Sequence, residues 1–231
     1  MHTPLRLFSL VHFAILASII VIGWTVAAIA RRRPWLWSPI RWVLVVVAAG
    51  LGLTWYLYRI FGLHDPLRWA LPLEICDASL WICVIALIWP RQRLLELAYF
   101  WGIAGASMAL ITPYLIAPLI SVPTITFLAG HGMIVVSVMF LLGTGRMHPS
   151  PRAWVYALSI LNLFALFDYV FDRLTGTNYM YLVYKPPIRS LFNVMGPWPW
   201  YIFAADALAA TLFFLLQLPF RRSHLRVTST P

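Results

Sequence analysis

The amino-acid sequence predicts an all-α, polytopic membrane helical bundle of about seven transmembrane helices. Of its 231 residues, 62% are hydrophobic and only 10% are charged, and the mean hydropathy is +0.83. A soluble domain carries about 25% charged residues, because its surface faces water. The apolar residues also fall into long runs, and a membrane-spanning helix needs about 20 of them. These runs and the short connections between them account for the chain and leave no room for a soluble domain, so we predict a single transmembrane domain over residues 1–231.

Seven apolar runs are predicted to span the membrane, and each is closed by Arg, Pro or Gly. They lie near residues 7–30, 38–61, 72–89, 95–115, 124–143, 153–171 and 199–219. The first run is too long for a cleaved signal peptide, and Arg31, Arg32 and Arg33 follow it as in a stop-transfer sequence. We therefore expect it to be retained as the first helix. Because the connections are short, neighbouring helices are expected to run antiparallel.

The distribution of basic residues predicts the orientation of the helices. With the N-terminus outside and the C-terminus in the cytoplasm, eleven of the 17 basic residues fall in cytoplasmic segments. Cytoplasmic loops are enriched in Arg and Lys, so this orientation is favoured. A net charge of +10 would suggest nucleic acid in a soluble protein, but here the charges are spread between apolar runs, and no nucleic-acid partner is expected. Only Lys185 is a lysine, a bias typical of a GC-rich bacterium, so we expect a bacterial cytoplasmic membrane.

Six of the seven acidic residues are predicted to lie in the outer half of the bundle, with Glu96 as the exception. The six are Asp65, Glu74, Asp77, Asp168, Asp172 and Asp206. Ionisable groups inside a membrane are costly and often functional, so these residues predict a water-accessible cavity that opens to the outer leaflet. The alternative is that the carboxylates pair with basic residues on the same side, which are Arg59, Arg68, Arg173 and Arg189.

Cys76 and His131 are the candidate catalytic residues, because the predicted third and fifth spans place them at similar depth. Pro72 is favoured at a helix start, so the thiol is expected near a helix N-terminus, where the helix dipole favours a thiolate. Gly130 and Gly132 flank the histidine and leave room for a close approach. A thiol beside an imidazole is the minimum for nucleophilic acyl transfer. The alternatives are an apolar filler for the cysteine and a hydrogen-bonded packing role for the histidine.

Asp77 is a further candidate, for orienting the histidine. Cys83 lies seven residues after Cys76, so their Cα atoms are about 10 Å apart on a helix and both thiols are expected to be free. Cys83 is expected to be an apolar filler. Only His12 and His131 lie inside predicted spans, and neither belongs to a histidine pair of the kind that binds zinc, so no metal or other cofactor is expected. The last span has no lysine for a retinal Schiff base.

One loop, at about residues 172–198, is longer than the others and ends in a run of prolines and aromatic residues. The prolines fix the aromatic residues in a rigid corner that can roof a cavity. The candidate binding residues of this region are Asn178, Tyr181, Lys185, Trp198, Trp200 and Tyr201. The alternative for the aromatic residues is simple anchoring, because Trp and Tyr collect at the membrane–water interface.

Four stretches carry a resemblance to a known family. In chain order they are Leu71-Pro-Leu-Glu-Ile-Cys-Asp77, Gly130-His-Gly-Met133, Asn178-Tyr-Met-Tyr-Leu182 with Lys185-Pro186, and Gly196-Pro-Trp-Pro-Trp-Tyr201. Over residues 10–220 or so, the chain resembles the YwaF-like bacterial integral membrane proteins, which are similar to the animal transmembrane protein 164 acyltransferases. The resemblance implies movement of acyl chains between phospholipids without acyl-CoA, with Cys76 as nucleophile and His131 beside it.

We therefore expect a membrane-embedded lipid acyltransferase or lipid-ester hydrolase that acts on phospholipids or lyso-lipids. The candidate residues of the long loop are then expected to bind the lipid headgroup. One alternative is a small-solute or ion transporter with a buried acidic relay, but the inner half of the bundle supplies few polar groups for such a pathway. Another is a non-catalytic assembly or receptor protein, for which Cys76 and His131 would be dispensable.

Overall fold

The computed structural model describes residues 5–115, 117–146, 148–186 and 190–221. Seven α-helices occur in these residues, joined by turns and short 3-10 segments, and none of the described residues lies in a β-strand. The helices are α1 (Leu10–Arg32), α2 (Trp37–Leu57), α3 (Ile75–Ile88), α4 (Gln92–Ile111), α5 (Val122–Gly143), α6 (Ala153–Thr175) and α7 (Trp200–Arg221). The prediction of an all-α membrane bundle is confirmed.

Six of the described helices are long and apolar enough to cross a membrane, so the chain is a multi-pass membrane protein. The remaining helix, α3, is apolar but has only 14 residues. It rises about 21 Å, less than the hydrocarbon thickness of a typical bilayer. The predicted span over residues 72–89 is wrong at its beginning, because α3 starts at Ile75 and Pro72 lies outside the helix.

The residues just before α3 are held by hydrogen bonds that differ from those of a helix. The Leu71 N–H donates to the hydroxyl of Tyr179 at 3.0 Å, and the Glu74 carboxylate accepts from the Met180 N–H at 3.2 Å. These bonds join the segment to a loop more than a hundred residues away in the chain. A continuous apolar run carries no information about such long-range partners, so the span predicted from it was longer than the helix.

Two other helix ends differ from the prediction for local reasons. The fourth helix was predicted over residues 95–115, but α4 ends at Ile111, because Pro113 disfavours a helical conformation at the residue before it. The sixth was predicted to end at residue 171, but α6 continues to Thr175. It then stops at Gly176, which has φ 75°, and the Gly176 N–H donates to the Asp172 carbonyl at 2.9 Å. This is the usual left-handed helix end.

The chain divides into two compact units. Unit 1 consists of Met1–Ala70 and Ile75–His148 and contains helices α1 to α5. Unit 2 consists of Leu71–Glu74 and Pro149–Pro231 and contains α6 and α7, which pack against each other. Within unit 1, α5 packs against α1, α2, α3 and α4, and α4 also packs against α3. Helix α5 is therefore the centre of unit 1.

Glycines bring α5 close to its neighbours. A Cβ built at Gly143 would lie 2.7 Å from the Cβ of Ala27 on α1, and one at Gly102 on α4 would lie 2.6 Å from the Cγ2 of Ile134 on α5. Both distances are too short for real atoms. Small residues at these points allow the close backbone approach by which helices associate in a membrane.

We expect Gly102→Ala to destabilise unit 1 by about 1–3 kcal/mol, the usual cost of overpacking a core. The added methyl group would collide with the buried Ile134, whose β-branched side chain has little freedom to move. Thermal unfolding in detergent checks this. The matched control is Gly50→Ala on α2, where no atom other than the chain neighbours and the backbone of the same helix lies within 4 Å of an added Cβ. Equal melting temperatures for the two variants would contradict the assigned contact.

Candidate active site

Cys76 lies in the first turn of α3 and is half-buried. Its Sγ is 3.7 Å from the position that a Cβ would take at Gly105 on α4, which is ordinary van der Waals distance. Cys83, deeper in the same helix, is fully buried. Both cysteines are free thiols, as the spacing predicted, and the packing role predicted for Cys83 agrees with its burial. The two thiols therefore have different surroundings, and Cys76 is the more accessible one.

The imidazole of His131 is fixed on α5 by its own helix. Its Nδ1 lies 2.7 Å from the carbonyl oxygen of Phe127, and its ring centroid lies 4.2 Å from that of the Phe127 ring. A carbonyl oxygen only accepts hydrogen bonds, so Nδ1 carries the proton and donates it. In the neutral ring the lone pair is then on Nε2. This is the tautomer that a general base needs.

The packing of α4 on α5 places Cys76 and His131 at one level of unit 1. Helices α4 and α5 are consecutive and packed together, so they run in opposite directions. Gly102 is in contact with Ile134. Gly105 follows Gly102 by three residues, and His131 precedes Ile134 by three residues. Because the helices are antiparallel, both residues lie about 5 Å from this contact in the same direction and are level with each other. Since the Cys76 sulfur lies beside Gly105, Cys76 and His131 are at a similar height in unit 1.

There is unfilled space beside the histidine. Gly130 is buried, yet a Cβ built on it would have no atom within 4 Å other than its chain neighbours and the backbone of its own helix. Gly132, on the other side of the histidine, packs closely against Ile19 of α1. The two glycines thus differ in role: Gly132 permits helix packing, and Gly130 leaves room next to the imidazole.

Asp77 was a candidate for orienting the histidine, but the partner of the histidine Nδ1 is the Phe127 carbonyl. The charge that acts on Asp77 is that of Arg59, which also forms a salt bridge with Asp65 at 2.8 Å. Pairing with basic residues therefore accounts for Asp65. A backbone carbonyl one helical turn before the histidine leaves no signal in the sequence, so this orienting group was missed.

His12, the other histidine inside a span, has a structural role. It is fully buried, its Nδ1 accepts from the Phe8 N–H at 3.0 Å, and its Nε2 donates to the Leu110 carbonyl at 2.8 Å. Both ring nitrogens have hydrogen-bond partners, so neither is available to act as a general base.

Asn178, a predicted headgroup ligand, uses its side chain to hold its own loop in unit 2. Its Oδ1 accepts from the N–H groups of Val183 and Tyr184, at 3.0 Å and 3.2 Å, and its amide donates to the Tyr184 carbonyl at 2.8 Å. The side chain is also buried. These bonds define the conformation of the loop, and a role for Asn178 in substrate binding stays a prediction.

Four other headgroup candidates come together in unit 2. The hydroxyl of Tyr201, which is 1% exposed, donates to the Tyr181 carbonyl. The Lys185 ammonium lies 5.3 Å from the centroid of the Tyr201 ring. The indole N–H of Trp198 donates to the Leu182 carbonyl at 3.1 Å. The loop and the start of α7 therefore form one aromatic corner. Trp198 and Trp200 remain 52% and 66% exposed, as expected of residues at a membrane interface.

Glu74 supports this corner, although the sequence suggested no role for it. Its carboxylate accepts a hydrogen bond from the Met180 N–H. Met180 and the following Tyr181 have φ angles of 51° and 56°, in the left-handed region that residues with a side chain rarely adopt. The bond from Glu74 helps to hold them there. Burial raises the pKa of Tyr181, and the negative charge of Glu74 raises that pKa further, so the phenol stays protonated and available as a donor.

Asp168 and Asp172 lie one turn apart on α6 and are 0% and 1% exposed. Asp172 accepts from the Thr177 hydroxyl at 2.6 Å. Neither carboxylate oxygen of Asp168 has a hydrogen-bond partner among the described residues, and the charges of Asp172 and Glu74 act on it. Arg189, a predicted partner, lies outside the described residues. Within the part of the chain that the structure describes, no group of His, Cys, Asp and Glu is arranged to hold a metal ion.

We expect Asp168→Asn to raise the stability of the protein by about 1 kcal/mol or more, because the amide keeps the shape of the side chain without its buried, unpartnered charge. Thermal unfolding in detergent measures this. The control is Asp206→Asn, since the Asp206 carboxylate accepts from the Asn162 amide at 3.0 Å and its loss should not stabilise. A lower melting temperature for Asp168→Asn would mean that a partner or ligand stabilises this carboxylate.

Comparison with known proteins identifies the family. No curated protein and no solved structure is significantly similar to the chain. Residues 1–217 match the TMEM164 family. The matched residues include Cys76, His131 and the aromatic corner of unit 2, so the resemblance seen in the four sequence stretches is confirmed. The chain therefore belongs to the TMEM164 family of multi-pass membrane proteins.

Proposed function

We propose that the protein is a lipid acyltransferase or lipid-ester hydrolase of the bacterial cytoplasmic membrane, with Cys76 as nucleophile and His131 as its base. The observation that carries the proposal is the hydrogen bond from His131 Nδ1 to the Phe127 carbonyl, at 2.7 Å. It leaves Nε2 as the basic nitrogen. The backbone of His131 is level with Gly105, and the Cys76 sulfur lies beside Gly105, which supports the pairing. The family and the apolar spans agree with a substrate that enters from the membrane.

The first half-reaction transfers an acyl chain to the enzyme. His131 Nε2 removes the proton from the Cys76 thiol, and the thiolate attacks the ester carbonyl of a phospholipid. When the tetrahedral intermediate collapses, the carbon–oxygen bond breaks and the proton on Nε2 passes to the departing lyso-lipid oxygen. The products are a lyso-lipid and a thioester on Cys76.

The second half-reaction releases the chain. The hydroxyl group of a lyso-lipid, or water, gives its proton to His131 and attacks the thioester. The carbon–sulfur bond then breaks and the proton returns to the Cys76 sulfur. A lyso-lipid acceptor makes the protein a transferase, and water makes it a hydrolase.

The negative charge of the tetrahedral intermediates requires hydrogen-bond donors. The first N–H groups of a helix have no acceptor within that helix, and Cys76 lies in the first turn of α3. We propose that these N–H groups bind the oxyanion. Binding of the lipid headgroup by Lys185, Trp198 and Trp200 of the aromatic corner remains part of the proposal.

The test uses purified full-length protein in lipid nanodiscs with a phospholipid labelled in one acyl chain and an unlabelled lyso-lipid. We expect labelled diacyl lipid if the protein is a transferase, or labelled fatty acid if it is a hydrolase. Transfer that wild type and Cys76→Ala perform equally would overturn the proposal. An inactive wild type whose solute flux across liposomes is insensitive to Cys76 would point to a transporter, and the absence of both activities would point to an assembly protein.

A further inference from the structure

One end of unit 1 carries a dense positive charge, which we call the basic end. It is formed by the end of α1, the start of α2, the link from α3 to α4 and the end of α5, and its arginines are Arg31, Arg32, Arg33, Arg41, Arg91, Arg93 and Arg146. Contacts join these segments: the Arg41 guanidinium reaches the Ile88 carbonyl at 3.5 Å, and the Gln92 amide donates to the His148 carbonyl at 2.6 Å.

At the centre of the basic end, the guanidinium groups of two arginines lie near the ring of one tryptophan. The guanidinium carbon of Arg41 lies 4.6 Å from the centroid of the Trp37 ring, and that of Arg146 lies 4.3 Å from it. Phe140 of α5 also stacks on Trp37, with a centroid distance of 6.1 Å. Guanidinium groups stacked on an aromatic face are held in a fixed plane, and their N–H groups point outward from its edge.

The charges at this centre are not neutralised. No described carboxylate forms an ion pair with Arg41 or Arg146, and Glu96, the one acidic residue of α4, pairs with Arg93 at 3.0 Å. The Arg41 Nε and the Trp37 Nε1 are buried and have no hydrogen-bond partner in the described structure. An anion bound here would be attracted by both guanidinium groups and would accept hydrogen bonds from donors that now have no partner. Its binding would therefore stabilise this arrangement.

The surroundings indicate that this anion comes from the membrane. Trp35, Trp42 and Trp89 lie at the basic end and are exposed, and tryptophan prefers the level of the lipid headgroups. The planar guanidinium group of arginine presents pairs of N–H donors whose spacing matches two oxygens of a phosphate. We propose that Trp37, Arg41 and Arg146 form a binding site for the phosphate of an anionic phospholipid.

This site is separate from the candidate active site. Ile88, which Arg41 reaches, is the last residue of α3, whereas Cys76 is in its first turn. The two ends of this helix are about 18 Å apart. The lipid bound at the basic end is therefore not the acyl donor at Cys76, and the proposal holds whether or not the protein moves acyl chains.

Native mass spectrometry of the full-length protein, released from detergent micelles that contain phosphatidylglycerol and phosphatidylcholine, tests the proposal. We expect wild type to retain phosphatidylglycerol in preference. A hydrogen bond from a guanidinium group to a phosphate contributes about 1.5 kcal/mol or more, so Arg41→Gln/Arg146→Gln should weaken retention by about 100-fold or more. The control, Arg31→Gln/Arg32→Gln, removes the same charge from exposed positions outside the site, where solvent screens it, and should change retention less than about threefold.

Equal losses in the two double variants would overturn the proposal, because they would mean that diffuse charge attracts the lipid. Retention of both lipids in equal amounts by wild type would overturn it as well. Inorganic phosphate at the concentration of the lipid should not displace the lipid, and displacement would mean that the site is for free phosphate. If the double variant does not fold, Arg146→Gln serves alone, because Arg146 is exposed in the turn after α5. It should weaken retention by about tenfold, through the loss of one charge-assisted hydrogen bond.

Discussion

Cys76→Ala is expected to lower the rate of acyl movement by about 10³-fold or more, because removal of a nucleophile leaves only the catalysis provided by binding and oxyanion stabilisation. The assay is the appearance of labelled acyl chain in lyso-lipid or water, per folded protein. The matched control is Cys83→Ala, on the same helix but fully buried. It should keep the activity of wild type. Equal activities of the two variants would rule out Cys76 as the nucleophile.

His131→Asn is expected to lower the rate by about 10² to 10⁴-fold, the usual contribution of a general base. The asparagine amide nitrogen occupies the position of Nδ1 and keeps an N–H donor for the Phe127 carbonyl, so the loss should come from the missing Nε2 base rather than from local unfolding. Thermal unfolding close to that of wild type should accompany the loss. The value of kcat should fall more than KM changes, since the imidazole acts on the proton of the thiol.

His64→Asn is the control for the histidine variant. His64 is exposed in a loop of unit 1 with φ 57°, a conformation that asparagine tolerates better than most residues. It should be fully active. A His131→Asn enzyme that stays within about tenfold of this control would contradict general-base catalysis by His131.

The composition and the apolar runs were sufficient to predict the fold class, because a membrane-spanning helix satisfies its backbone internally and shows itself as a continuous apolar run. The start of α3 was not predictable in this way. It depends on bonds from the residues before it to Tyr179 and Met180, which lie more than a hundred residues later in the chain. Such contacts leave no periodic signal.

The candidate site was predictable in its residue types but not in its supporting groups. The motifs pointed to Cys76 and His131; the Cys76 sulfur lies beside Gly105 of α4, and the antiparallel packing of α4 on α5 puts residue 131 at a similar height. The group that fixes the histidine is a backbone carbonyl, which every residue possesses, so the sequence suggested Asp77 instead. In the same way, Asn178 looked like a ligand because it is polar, whereas its hydrogen bonds are used within its own loop.

The most direct test of the proposed reaction is mass spectrometry of the intact protein after brief incubation with a phospholipid and rapid quenching in acid. We expect wild type to gain the mass of one acyl chain, to carry it on Cys76 in the peptide map, and to lose it in neutral hydroxylamine, as a thioester does. Cys76→Ala should gain no such mass, and Cys83→Ala should gain it as wild type does. An active wild type with no acyl adduct, or with the adduct on Cys83, would contradict the account.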